Sequence, residues 1–114
     1  MAGEVKQFLS EFGKSMEQMK EQTPDVLSGF GGLFAKVMKA GALEVKQKEL
    51  IALGIAVAQR CGPCINLHTQ KCLQAGAKRE EILEAAAVAV MMQGGPAYTH
   101  VPMVIKALDE LAAK

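Results

Sequence analysis

The chain contains no tryptophan, one tyrosine and four phenylalanines among its 114 residues. So low an aromatic content argues against a β-sandwich, whose strands lean on aromatic and β-branched side chains. Half of the residues are nevertheless hydrophobic, drawn largely from Ala, Val, Leu, Ile and seven Met, a palette that suits close-packed helices. Neither sign of charge dominates: 13 Lys and Arg stand against 12 Asp and Glu, for a net charge of +1. Both signs are scattered, which leaves no electrostatic footprint for nucleic acid or an anionic membrane surface. No uninterrupted apolar run approaches the roughly 20 residues that span a bilayer. The opening Met-Ala-Gly-Glu lacks a basic stretch followed by an apolar one, so a cytoplasmic location is expected. There thiols stay reduced, and a close cysteine pair signals redox or metal chemistry rather than a structural staple.

The length fits one domain, residues 1–114, and the hydrophobic periodicity predicts an all-α bundle of about six helices with no strand. The first covers roughly 4–20, with Phe8, Phe12, Met16 and Met19 forming a narrow apolar stripe. Thr23-Pro24 predicts an N-cap and a proline at the first position of the second helix. Val26, Leu27, Phe30, Leu33, Phe34, Val37 and Met38 then keep a 3.6-residue period up to Gly41. Gly29, Gly31 and Gly32 weaken that helix, and close helix packing is the expected reason for them, since no strand precedes them to make a phosphate loop. A third helix, about Val45 to Gln59, is apolar on almost every face, and so is a fifth, about 79–92. A fourth starts near Pro63 and stops at Gly76, and a last one runs from about Ala97 to Ala112. Two nearly all-apolar helices in so short a chain need covering, which predicts a homo-oligomer.

The chemistry is concentrated in Cys61-Gly62-Pro63-Cys64 and in His68. With Pro63 at the first helical position, Gly62 would be the N-cap, Cys64 would lie in the first turn and Cys61 just outside it. Unpaired backbone N–H groups and the positive end of the helix dipole favour thiolates there. The spacing also lets the two sulfurs close a small ring, which a reversible dithiol needs. His68 follows Cys64 by four residues, so its imidazole lies over the Cys64 side chain and can take the thiol proton. By this geometry Cys64 attacks and Cys61 resolves, with the reverse order open. A zinc site made of Cys61, Cys64, His68 and Cys72 is disfavoured, because Cys64 and Cys72 stand eight residues, about 12 Å, apart on one helix. Cys72 reads as a small buried hydrophobe. Glu49 shares a helix face with Leu53, Ala56 and Val57. It is either a buried proton shuttle or a first-turn residue supporting the helix N-terminus beside Lys46 and Lys48. Tyr98 and His100 read as structural or interface residues.

The string Glu49-x11-Cys61-x2-Cys64-x3-His68, followed by Gly76-Ala77-x-Arg79-Glu80-Glu81-Ile82, resembles the carboxymuconolactone decarboxylase family in its alkylhydroperoxidase D-like branch, over roughly residues 25–112. The resemblance implies an all-helical fold, trimers or hexamers, and no metal or organic cofactor. It also implies an antioxidant role, in which the dithiol reduces peroxides directly or reduces a partner peroxiredoxin by disulfide exchange, with a dithiol as electron donor. Glu49, His68, Cys61 and Cys64 would form a proton relay ending on a cysteine. The best-known peroxidases of the branch carry a second histidine where this chain has Pro63, so weaker peroxidase activity with surviving disulfide exchange is expected. The alternative is a decarboxylase-like enzyme of non-redox chemistry, which has no need of a dithiol. A plain antiparallel hairpin would set Glu49 opposite Cys72, so the relay requires the third and fourth helices to cross at an angle, or a bridging water.

Overall fold

The computed structural model describes residues 3–112, which contain helices and no strand. In chain order they are α1 (Glu4–Gln22), α2 (Pro24–Met38), α3 (Val45–Ala58), α4 (Gly62–Gln74), α5 (Arg79–Gln93), the single turn α6 (Gly95–Tyr98) and α7 (Val101–Leu111). The expected last helix is thus two pieces. Pro102 has no N–H to give the carbonyl four residues back, and its ring would collide with that carbonyl, so the chain turns at Thr99-His100 and restarts.

Helix α3 is the centre of the bundle, packed between α4 and α5, and α7 closes over α4. The core is built from Leu53 and Val57 of α3, Ile65 of α4, Ile82 of α5, and Val104 and Leu108 of α7, all fully buried. Gly54 lets α3 approach α5 closely: a Cβ there would stand 3.3 Å from the Ala85 carbonyl oxygen. Helices α3 and α4 each end in the same double hydrogen bond. Arg60 N–H donates to Val57 O and Cys61 N–H to Ala56 O; Gly76 N–H donates to Leu73 O and Ala77 N–H to Cys72 O. Such an ending needs a left-handed residue. Gly76 supplies it at φ +90°, while Arg60 adopts it at φ +56° despite its side chain.

Helix α1 is fastened at its first turn by the far end of the chain. Gly3, its N-cap residue, makes no side-chain cap bond. The Glu110 carboxylate of α7 accepts instead from the N–H groups of Val5 (3.0 Å) and Lys6 (3.1 Å), beside an ion pair between Lys106 and Glu4.

Helix α2 departs most from expectation. None of its residues is buried, and Val26, Phe30, Leu33 and Val37 face outward as an apolar stripe, Phe30 with 66% of its surface exposed. Nothing lies within 4 Å of a Cβ built on Gly29, Gly31 or Gly32, so close packing within this chain does not explain these glycines. Thr23 precedes α2 as expected, but its hydroxyl turns back and donates to Met19 O, closing α1 instead. The outer faces of α3 and α5 are also uncovered, at Ile51, Ile55, Val88, Met91 and Met92. Between them runs an apolar groove of about 380 Å³. Among the described residues no helix is long and apolar enough to cross a membrane.

Candidate functional site

The end of α3 delivers the chain directly into the cysteine pair. Cys61, not Gly62, is the N-cap residue of α4, one position earlier than the proline placement predicts, because Pro63 occupies the second helical position. Cys61 Sγ accepts from the Cys64 N–H at 3.2 Å, where a serine or aspartate oxygen would normally sit. The two cysteines are joined as a disulfide, with Cα atoms 5.2 Å apart. Both are half-buried. Met103 of α7 lies against Gly62, its Cε 3.0 Å from where a Cβ would be, so the turn itself is covered by a flexible thioether.

One turn after Cys64, on the same face of α4, His68 Nδ1 meets Glu49 Oε1 at 2.8 Å. The contact is direct, so the packing of α3 on α4 brings Glu49 to His68 without a bridging water. Glu49 is buried, with 5% of its side chain exposed, and His68 keeps 21%. The Glu49 charge is also felt at Cys72, whose thiol is pushed up to about 12, mainly by burial and then by that carboxylate. Glu49 therefore serves a stretch of α4 that includes both His68 and Cys72.

The alternative role for Glu49 at the α3 N-terminus fails on its neighbours. Lys46 pairs with Glu81 of α5 at 3.1 Å. Lys48 Nζ donates to Val37 O and Lys39 O, each at 2.7 Å, closing the end of α2. Neither lysine turns to Glu49; the α3 N-terminus is served by Gln47, whose Oε1 accepts from the Glu44 N–H at 2.8 Å. Where the Glu49 carboxylate accepts from Nδ1, a neutral His68 presents Nε2 as its acceptor nitrogen. Cys72 is fully buried, as its small-hydrophobe reading requires. His100 Nδ1 donates to Pro96 O at 2.9 Å in the α6–α7 turn, a structural contact.

Phe34 of α2 also borders this site. Its ring centroid lies 6.4 Å from that of His68, the planes inclined by 24°, and Lys71 Nζ stands 5.0 Å from the Phe34 centroid. Phe34 had been visible only as one more apolar position on α2, and spacing within a helix carries no information about a ring on another helix.

Comparison with known proteins agrees with this architecture. The model of the carboxymuconolactone decarboxylase family matches residues 24–106. The chain belongs to that family. A family member from Legionella pneumophila, solved in its apo form, is 32% identical and superposes with a TM-score of 0.93, covering 98% of this chain and all of the other. A family member from Thermotoga maritima, described as having a possible role in antioxidative response, is 32% identical with a TM-score of 0.82, over 93% of this chain and 90% of its own. An uncharacterized protein of Cupriavidus necator is 30% identical over 113 residues, 99% of this chain and all of that protein. The match to the Legionella pneumophila protein thus extends to α1, which lies outside residues 24–106.

Proposed function

We propose that this family member is a thiol-dependent antioxidant oxidoreductase, cycling Cys61 and Cys64 between dithiol and disulfide. The observation that carries the reading is the cysteine pair at the start of α4 with the Glu49–His68 pair one turn beyond it. In the reducing direction, His68 takes the Cys64 proton and the thiolate attacks the distal oxygen of a hydroperoxide. The O–O bond breaks, the alcohol leaves after taking up a proton, and Cys64 becomes a sulfenic acid. Cys61 then attacks that sulfur, water departs, and the disulfide forms. An external dithiol restores the pair by exchange, and the reduced pair can instead pass its electrons by exchange to the disulfide of a partner peroxiredoxin. When a donor thiolate attacks Cys64, Cys61 leaves as a thiolate, and the Cys64 N–H at its Sγ supports that charge. Glu49 holds the imidazole in its working tautomer and stabilises the imidazolium.

The uncovered apolar faces of α2, α3 and α5 support assembly with further copies of this chain, as trimers or hexamers. Exposed Phe, Leu, Ile and Met over three helices exceed what a monomeric surface usually carries. Light scattering after gel filtration tests this, and a monomer at micromolar concentration refutes it.

The functional test is turnover of an organic hydroperoxide with a dithiol reductant, in wild type, Cys64→Ser and Cys61→Ser, alongside reduction of a model disulfide. Loss of both activities in Cys64→Ser is the expected result. No thiol-dependent turnover of either substrate by the wild type would refute the redox reading and leave a decarboxylase-like enzyme as the alternative.

A further inference from the structure

Helix α2 buries none of its own residues, yet one of its rings reaches the chemistry. Phe34 stacks on His68 and draws the Lys71 ammonium to its face. His68 and Lys71 are three residues apart on α4, so both project from the same side of that helix, and the Phe34 ring lies against both. The Glu49 bond fixes only one edge of the imidazole, at Nδ1. A single hydrogen bond leaves the ring free to tilt about that edge, and water can compete for the partly exposed side chain. A flat neighbour removes the tilt and occupies the face that water would use.

We propose that Phe34 is a positioning residue: its ring holds the His68 imidazole in the plane of the Glu49 bond, with Lys71 holding the Phe34 ring in turn. The consequence for thiol chemistry rests on the redox function proposed above, whereas the placement of the ring does not. Phe34 touches no reacting atom and acts only through His68. The imidazole is contacted by Glu49 from α3 and by Phe34 from α2, and replacing Phe34 by leucine or tyrosine leaves the Glu49 carboxyl in place.

The test compares wild type, Phe34→Leu and Phe34→Tyr, labelled with ¹⁵N and ¹³C in histidine. The chain has two histidines, and His100→Gln assigns the signals. In the oxidised protein, Phe34→Leu should remove the ring-current shift from the His68 carbon-bound protons and average its two ¹⁵N signals towards a tautomer mixture, while Phe34→Tyr restores both. Because no residue of α2 is itself fully buried, helix content and disulfide formation should be unchanged in all three. In the reduced protein, alkylation of Cys64 should slow by roughly three- to tenfold in Phe34→Leu, the rate equivalent of one aromatic contact, and recover in Phe34→Tyr. Unchanged His68 nitrogen signals in Phe34→Leu would overturn the proposal. A changed His68 signal with an unaltered alkylation rate, together with an unaltered rate in His68→Gln, would uphold the positioning role and refute the proton-acceptor role of His68.

Discussion

Replacing His68 by leucine isolates the energetic weight of the Glu49–His68 contact. Glu49 has 5% of its side chain exposed and His68 has 21%, so the two groups respond differently to losing each other. Without His68, the carboxyl stays under α4 with no hydrogen-bond partner. Removing one member of a buried pair costs about 3–5 kcal/mol, and the partial exposure of His68 places this site near the lower figure, about 3 kcal/mol. Without Glu49, a neutral imidazole remains that water can reach, and Glu49→Leu should cost about 1 kcal/mol. Replacing both by leucine removes the orphan and should return stability to within about 1 kcal/mol of wild type. The four proteins form a double-mutant cycle with a coupling of about 3 kcal/mol or more. For a chain of this size, about 3 kcal/mol corresponds to a fall of roughly 10 °C in Tm. Urea unfolding of the oxidised protein at pH 7, at one fixed protomer concentration because association adds to stability, measures all four values. If His68→Leu unfolds within about 1 kcal/mol of wild type, and adding Glu49→Leu changes nothing, then Glu49 is hydrated and the contact is not the buried pair described above.

Further expectations concern single positions. Gly76→Ala should cost about 1 kcal/mol, because φ is +90° there and alanine resists that region, whereas Gly31→Ala in open space on α2 should gain up to about 1 kcal/mol in helix stability; thermal melts of the two variants should move in opposite directions. Thr69→Val should stabilise by about 1 kcal/mol, since the Thr69 hydroxyl is buried with no hydrogen-bond partner among the described residues and an isostere removes that penalty; a lower urea midpoint would contradict this. Cys72 should resist iodoacetamide in the native protein at pH 9 and react once unfolded, as mass spectrometry of peptides would show. Its thiol is held up at about 12 from 9.0, so the unfolded chain releases the proton first. Stability contributed by the neutral thiol is complete below about pH 9 and is lost as pH rises towards 12, and Cys72→Ala should flatten that alkaline limb.

What could be read along the chain was what depends on near neighbours. Helical periodicity, the proline at the start of α4 and the glycine at its end follow from backbone sterics within a few residues, and they place Cys61, Cys64 and His68 on one helix in the right order. Boundaries slipped where two local signals competed. Thr23 could cap either flanking helix and chose the carbonyl behind it. Pro63 could occupy the first or second helical position, and the double hydrogen bond that ends α3 through Arg60 and Cys61 made Cys61 the cap. The glycines of α2 looked like packing sites, but a helix pattern does not reveal whether a partner helix is present to pack.

The dithiol was therefore determined by the sequence itself, because residues three apart at a helix start are brought together by the backbone alone. The Glu49–His68 contact was not. Glu49 lies 19 residues before His68, on a helix whose face and tilt against α4 are set by how Leu53, Val57 and Ile65 fill the core. Only that packing could choose between a carboxyl that serves the start of its own helix and one that reaches the imidazole. The same holds for Phe34, since which ring covers His68 is decided by where α2 comes to rest, not by any spacing along the chain.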